Sequence, residues 1–166
     1  MWEGRGVDAT TAALLSTLTD QREHVLGILE GLDDEALLRP VLPTGWSCAG
    51  LVQHLAVDVE RFWFRAVMSA ELVVGPEEVS AWVVAEGTQP ADVLALYRDE
   101  IALADAVISP TPFDSPPLGW PADLFGSWRL PDLRAVLLHV IVETACHAGH
   151  LDAARELLDG RTWLIL

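Results

Sequence analysis

Basic residues are scarce in this sequence, and long apolar runs are missing. Lysine and arginine together number 10, against 25 aspartates and glutamates, so the formal net charge is −15. Nucleic acids and anionic membrane surfaces are bound through basic side chains, so we expect neither as a partner. No uncharged apolar run reaches the roughly 20 residues that a membrane-spanning helix needs, so no transmembrane segment is expected.

Cysteine is also rare, and the chain begins without the features of a signal peptide. The two cysteines, Cys48 and Cys146, lie far apart and form no CxxC pair. Two such residues in a chain of this size fit reduced thiols better than a disulfide framework. The first residues carry acids and lack a basic start followed by an apolar core. We therefore expect a cytoplasmic protein in which both cysteines are small packing residues.

Helical periodicity dominates what remains, and no strand pattern or internal repeat competes with it. Hydrophobic residues make up 51% of the 166 residues, enough for a substantial core, so residues 1–166 are expected to form a single domain. A short turn is predicted over "DDEALL". The predicted long helices run from about Asp8 to Leu32, from Ser47 to about Ala70, from near Thr88 to Ser109, and from near Pro131 to Gly160. This pattern predicts an all-α four-helix bundle.

The fourth predicted helix contains an unusual group of ionisable residues. The stretch "HVIVETACHAGH", residues 139–150, places His139, Glu143, His147 and His150 close together. At about 100° per residue, all four lie along the middle of the apolar face, while most charged residues of this helix lie opposite. An unpaired carboxylate in a core is costly, so these groups must be paired, neutralised or bound to a metal.

Three interpretations of this group are open: an internal hydrogen-bond network, a polar ligand pocket and a divalent metal site. Spacing restricts the third, because His139 and His150 are about 16 Å apart along the helix axis and cannot share one ion. Residues four apart can share an ion, so His139 with Glu143 and Glu143 with His147 both qualify. The stretch lacks the HExxH pattern, so no protease of that type is indicated.

A metal site would need a further ligand from another helix, and the remaining histidines are His24 and His54. His24 follows the polar stretch "DQRE", which is typical of a surface position. His54 lies at the edge of an apolar stripe in "GLVQHLAVDVERFWF", with Asp58 one turn later. This position fits the wall of a pocket and equally fits a half-exposed histidine paired with Asp58.

Four tryptophans are candidates for the mouth of a pocket or for a subunit interface: Trp46, Trp63, Trp120 and Trp128. Core packing is the simpler expectation for most of them. Trp63 lies opposite His54 on the second helix, so we expect it to contact another helix or subunit.

Two stretches of the sequence resemble the DinB-like superfamily, which includes the mycothiol-dependent maleylpyruvate isomerases and many domains of unknown function. They are "GWSCAGLVQHLAVDVERFWF" and "LLHVIVETACHAGHLDAARELLDG", and the similarity extends over essentially the whole chain. The resemblance implies a DinB/YfiT-like four-helix bundle, a homodimer, and a zinc or nickel ion bound by three side chains.

The resemblance also implies which residues bind the metal. It assigns His54 from the second helix and, from the fourth helix, Glu143 and His147. The first fourth-helix ligand is often histidine in the DinB branch and glutamate in the isomerase-like branch. His139 and Asp58 then become neighbours of the ligands or pocket-wall residues, and His150 a capping or hydrogen-bonding group.

Three protein ligands leave an open coordination position, which is typical of a catalytic metal site. A thiol or a water bound there would ionise more easily. The resemblance favours the thiol, and implies a mycothiol-type S-transferase or isomerase acting on a small electrophilic substrate. The alternatives are a metal-dependent hydrolase of a small molecule and a non-catalytic bundle that binds a metal or another ligand.

Overall fold

The computed structural model describes residues 9–73 and 81–163 as a bundle of helices. The long elements are α1 (Ala9–Leu29), α3 (Cys48–His54) with its continuation as a π-helix (Leu55–Met68), α4 (Pro90–Ile108) and α6 (Leu133–Asp159); the short ones are α2 (Asp34–Leu38) and α5 (Ala122–Phe125). α1 packs mainly on α6, and the π-helix packs mainly on α4. The predicted all-α four-helix bundle is confirmed, and Asp8 lies outside the described residues.

The helix limits follow from local signals in the sequence. Ser47 caps α3, where its hydroxyl accepts a hydrogen bond from the backbone N–H of Gly50 at 3.1 Å. Asp132 caps α6 in the same way through the N–H of Ala135 at 2.9 Å. Gly160 ends α6 in the left-handed conformation, with φ of 80°. The predicted helices therefore begin and end close to their expected positions.

The second long helix changes its hydrogen bonding in the middle. Up to His54 it is α-helical, and from Leu55 to Met68 it is wider, with π-type hydrogen bonds. At the junction, the N–H of Leu55 contacts the carbonyl oxygens of both Leu51 and Val52. π-Helical hydrogen bonding is rare, appears mostly as single-turn bulges within α-helices, and is frequent at functional sites. His54 is the last residue before the change, so its side chain projects from the point where the two geometries meet.

The ionisable group of α6 lies at the margin of the buried face, not at its centre. Val140, Thr144 and Leu151 are fully buried, whereas His150 is exposed and Glu143 is partly exposed. The expectation that all four groups lie along the middle of the buried face was therefore wrong. α6 packs against both α1 and the π-helix, so its buried arc is centred away from Glu143. Among the four, His147 alone is buried.

Two further expectations were wrong because tertiary contacts override local sequence polarity. His24 is buried, and its Nε2 lies 2.8 Å from Asp152 Oδ1 of α6, while its ring stacks on Trp163. Cys48 is buried as expected, but Cys146 is exposed and does not pack in the core. Both cysteines are free thiols.

A network of buried ion pairs joins α1, the π-helix and α4. Arg22 donates to both carboxylate oxygens of Glu60, at 2.7 and 2.6 Å, and to Asp105 at 2.8 Å. Arg61 and Arg65 both donate to Glu100, with distances of 2.8–3.0 Å. These pairs satisfy the charges that the helices carry into the interior.

The loop before α6 packs onto the end of the π-helix and forms an aromatic cluster there. The N–H of Gly119 donates to the carbonyl oxygen of Val67 at 2.9 Å, and a Cβ on this glycine would overlap the Ala66 backbone. The cluster consists of Phe62, Trp63, Trp120, Phe125, Trp128 and His139. The expected contact of Trp63 with another helix is confirmed, since its ring centroid lies 4.5 Å from that of His139 on α6.

None of the helices in residues 9–73 and 81–163 is both long enough and apolar enough to cross a lipid bilayer.

Candidate functional site

Two histidines from different helices face each other at one side of the bundle. His54 ends α3 and His147 lies in the middle of α6; their ring centroids are 5.0 Å apart and their planes are nearly perpendicular, at 80°. The two residues are 93 positions apart in the sequence, so only the packing of the helices brings them together. Both are largely buried, with side-chain exposures of 14% and 11%.

Each of these histidines has one ring nitrogen engaged by a neighbour one turn away. His54 Nδ1 lies 2.9 Å from Asp58 Oδ2, and His147 Nδ1 lies 3.3 Å from His150 Nδ1. Such a contact at Nδ1 fixes the orientation of an imidazole ring and leaves its other nitrogen, Nε2, for a further interaction. The expected contact of His54 with Asp58 is present, but His54 is largely buried and not half-exposed, so the position also fits the wall of a pocket.

Glu143 completes the group from the turn of α6 that precedes His147. Its Oε2 lies 3.6 Å from His147 Nε2, which is longer than a hydrogen bond. The carboxylate is 40% exposed, so it is held less tightly than the buried carboxylates of the ion-pair network. A fully formed internal network, in which Glu143 accepts protons from its histidine neighbours, is therefore not the arrangement observed.

Burial sets the protonation state of His147. It lowers the pKa of this imidazole to about 4; the neighbouring His54 and His150 act in the same direction, and Glu143 opposes them. The ring is therefore neutral at neutral pH and keeps a lone pair for a proton or a cation. Burial likewise lowers the pKa of His139, again against the effect of Glu143.

A segment between the π-helix and α4 covers the histidine pair. Trp82 stacks on His54 with ring centroids 4.0 Å apart and planes inclined by 18°, and its ring centroid lies 5.5 Å from that of His147. Gln53 clamps the segment by donating from Nε2 to the carbonyl oxygens of Ala81 at 2.9 Å and Val83 at 3.2 Å. The side chain that precedes His54 thus helps to position the ring that covers it.

Gly50 explains how this segment comes so close to α3. A Cβ at this position would overlap the carbonyl oxygen of Trp82, so a larger residue would push the segment away. Gly50 also donates its N–H to the capping Ser47. The seven residues from Ser47 to Gln53 therefore provide the cap, the close contact and the clamp that support His54.

A pocket of about 240 Å³ opens beside this group. Among the described residues, it is lined by Thr44, Gly45, Trp46, Trp82 and Val83. Gly45 adopts a left-handed φ of 82°, which allows the tight turn that places Trp46 at the pocket. The ring centroid of Trp46 lies 6.2 Å from that of His150. We call this cavity the Trp46–Trp82 pocket.

The predicted site residues are therefore divided between two places. His54, Asp58, Glu143, His147 and His150 come together, whereas His139 lies in the aromatic cluster against Trp63 and Trp128. The gathered donors suit a divalent cation by type, with two imidazoles and one carboxylate. Within residues 9–73 and 81–163, however, no group of three or more potential ligands is already arranged around a metal position. The predicted ligand set stays a prediction.

Sequence reasoning did not identify Trp82 or Gln53 as part of the site. Trp82 lies in a segment without helical periodicity, so no face could be assigned to it. Gln53 directly precedes His54, but its role depends on carbonyl groups 28 and 30 residues later. The one available signal was a tryptophan in the short apolar stretch "AWVVA", which is too weak to indicate a site.

Comparison with known proteins supports the resemblance noted in the sequence. A search of the curated proteins finds no match for this chain. The family described as Mycothiol-S-transferase matches residues 13–160, which include every residue of the group described above. This family is part of the DinB/YfiT-like superfamily. Because the match covers most of its length, the chain belongs to the mycothiol S-transferase family.

Proposed function

We propose that this protein joins mycothiol, or a similar low-molecular-weight thiol, through its sulfur to a small electrophilic substrate, with a zinc or nickel ion bound by His54, Glu143 and His147. The observation that carries the proposal is the meeting of two imidazoles from α3 and α6, 5.0 Å apart, with a carboxylate one turn away. Together with membership of a thiol-transferase family, this arrangement favours a thiol over water as the nucleophile.

The protein's own residues would act mainly by orientation. Asp58 holds His54 through Nδ1, and His150 contacts Nδ1 of His147, so that Nε2 of each ring stays available. No close hydrogen bond among the described residues holds the Glu143 carboxylate, which is 40% exposed, so a rotation of this side chain toward the two rings breaks no such bond. A divalent cation held by these groups would lower the pKa of a thiol.

The overall reaction balances without an oxidant or a reductant. The thiol sulfur forms a bond to an electrophilic carbon. In a substitution the leaving group departs with its bonding electrons; in an addition the electrons stay on the substrate, which takes up a proton from solvent. The thiol proton passes to solvent. Trp82 covers His54 and restricts the access of water to the pair, which favours the thiol over hydrolysis.

Elemental analysis tests the metal part of this proposal. Protein purified without a histidine tag, or reconstituted with zinc or nickel, should contain one equivalent of metal. His147→Ala and Glu143→Ala should lose it while keeping their helical circular dichroism. His139→Phe is the matched control, because this residue lies in the aromatic cluster and the variant should keep its metal. Full metal retention in His147→Ala and Glu143→Ala would show that the ligand assignment is wrong.

Thiol-dependent conjugation tests the reaction. The metal-loaded protein should conjugate mycothiol to an electrophilic test substrate, and His54→Ala should lose this activity. Ester or amide hydrolysis without any thiol would instead favour the hydrolase. Stoichiometric metal with neither activity would favour a non-catalytic metal-binding bundle. A homodimer, a cytoplasmic location and a single domain over residues 1–166 stay predictions.

A further inference from the structure

We propose that the Trp46–Trp82 pocket binds the electrophilic substrate and selects an uncharged, planar, single-ring compound over an anionic one. This inference rests on the proposed function, because it names the class of substrate for the proposed reaction. Binding in the pocket, by contrast, depends only on the residues that line it.

The pocket is a built feature of the fold. Its two aromatic walls come from separate segments of the chain: Trp46 lies just before α3, and Trp82 lies between the π-helix and α4. The Trp82 side is held by the Gln53 clamp and by the close approach at Gly50. The Trp46 side is held by a tight turn in which the N–H of Gly45 donates to the carbonyl oxygen of Leu42 at 3.0 Å. A ligand therefore meets walls that are positioned in advance.

Two tryptophan walls favour a flat and polarisable ligand. Aromatic rings stack face to face with an offset, or edge to face, and each such contact adds to the burial of apolar area. The volume of about 240 Å³ lies just below the roughly 300–1,000 Å³ of pockets for drug-sized ligands. A single ring with small substituents suits this space better than a larger ring system.

The pocket lies beside the histidine pair. Trp82 stacks directly on His54, and Trp46 neighbours His150, which in turn contacts His147. A ring bound between the two tryptophans thus places its substituents next to the proposed position of the thiol. This adjacency makes the pocket the natural subsite for the electrophile.

Charge excludes an anionic ligand. None of the five described lining residues is charged, and the neighbouring histidine pair has two carboxylates beside it, Asp58 and Glu143. The chain contains no lysine, and its net charge is −15. The arginines nearest in sequence to His54 on the π-helix, Arg61 and Arg65, are paired with Glu100. A carboxylate on the ligand would meet no cation among the described lining residues, in a protein with a strongly negative net charge.

A matched pair of non-reactive ligands tests the pocket without metal or thiol. 1,3-Dinitrobenzene is planar and uncharged, and 3,5-dinitrobenzoate carries the same ring with one carboxylate. Isothermal titration calorimetry on the metal-free protein at low ionic strength should give at least about tenfold tighter binding of the uncharged compound. This preference should shrink as salt is added. Equal or tighter binding of the benzoate would overturn the proposal.

Substitutions locate the binding. Trp46→Ala should weaken dinitrobenzene binding by about tenfold, whereas Trp128→Phe in the aromatic cluster should leave it unchanged. Val83→Arg is a second variant at an exposed lining position, and it should strengthen benzoate binding several-fold without unfolding the protein. Unchanged affinities in both Trp46→Ala and Val83→Arg would show that the ligand binds elsewhere.

Binding and activity measurements together can reject the proposed pocket selectivity and the proposed thiol transfer independently of each other. Selective binding that responds to Trp46→Ala and Val83→Arg, together with absence of any thiol transfer, would retain the pocket and reject the proposed reaction. Thiol transfer that does not distinguish uncharged from anionic electrophiles would retain the reaction and reject the selectivity.

Discussion

Two polar groups lie inside this bundle, and they differ in how well their charges are satisfied. In the ion-pair network, Arg22 binds Glu60 through two hydrogen bonds of 2.7 and 2.6 Å, and Glu60 is completely buried. In the histidine group, the contact between Glu143 and His147 is 3.6 Å long, and the carboxylate is partly exposed. Both groups carry polar side chains into the bundle, but the buried carboxylate of the first is closely hydrogen-bonded through both oxygens, whereas that of the second is not.

This is the difference that we expect between a structural role and the ligand-binding role that we propose for the histidine group. A buried charge that is fully paired stabilises the arrangement of helices around it, and losing one partner is expensive. Polar side chains that lie together without close hydrogen bonds to each other keep atoms available to bind a ligand, and the protein is less stable as a result. The free energy of unfolding, measured by urea denaturation of the metal-free protein, tests this contrast.

Removing Glu60 should have the largest effect. Glu60→Ala leaves the Arg22 guanidinium buried with its main partner lost, so the free energy of unfolding should fall by about 3–5 kcal/mol. Asp105→Ala is the control, because this second partner of Arg22 is 44% exposed and water can replace it. We expect it to cost less than about 1 kcal/mol. Equal losses in the two variants would contradict the structural role of the buried pair.

Neutralising Glu100 should have an intermediate effect. This buried carboxylate accepts hydrogen bonds from both Arg61 and Arg65, and those arginines are partly accessible to water. Glu100→Gln keeps one acceptor oxygen but removes the charge, so we expect a loss of about 1–3 kcal/mol. Glu71→Gln, at an exposed partner of Arg65, is the matched control and should be nearly neutral. A smaller loss in Glu100→Gln than in Glu71→Gln would be evidence against this assignment.

Replacing His147 should change stability little, in contrast to Glu60. His147→Phe fills similar space and removes a polar ring whose contacts in the described residues are long, so the change should stay within about 1 kcal/mol. The same variant should lose the proposed metal, as measured by elemental analysis. A loss of stability comparable with that of Glu60→Ala would place His147 among the structural residues.

The smallest effect is expected at Tyr97, a buried polar group outside both sets. Its hydroxyl has no hydrogen-bond partner in the described part of the chain, and burial raises the pKa of this group far above its ordinary value. Tyr97→Phe should therefore be neutral or should stabilise the protein by up to about 1 kcal/mol. A clear destabilisation would indicate that the hydroxyl has a partner, such as an internal water.

The helices could be predicted because their signals are local. Apolar periodicity, the caps at Ser47 and Asp132, and the terminal Gly160 act within a few residues of each helix end. The π-helical continuation from Leu55 was not predictable in this way, because no local residue pattern distinguishes it from an α-helix. The prediction that His24 lies at the surface was wrong because its burial depends on Asp152 and Trp163, which are far away in the sequence.

The site was predictable only in part. The spacing of Glu143 and His147 on one helix is a local fact, and the family resemblance added His54. The Gln53 clamp and the position of Trp82 depend on a loop whose path no periodic pattern describes. His139 fitted the same helical face as Glu143 but lies in the aromatic cluster, because Trp63 and the loop before α6 enclose it.

By itself, the sequence determined where the long helices run and which side chains share a turn of one helix, because both depend on interactions among residues a few positions apart. The tertiary structure alone decided that Arg22 meets Glu60, that His54 meets His147 and that Trp82 covers them. Helical periodicity gives the direction in which a side chain points around the axis of its helix. The register and crossing of neighbouring helices, which bring distant side chains together, arise from the packing of the whole core.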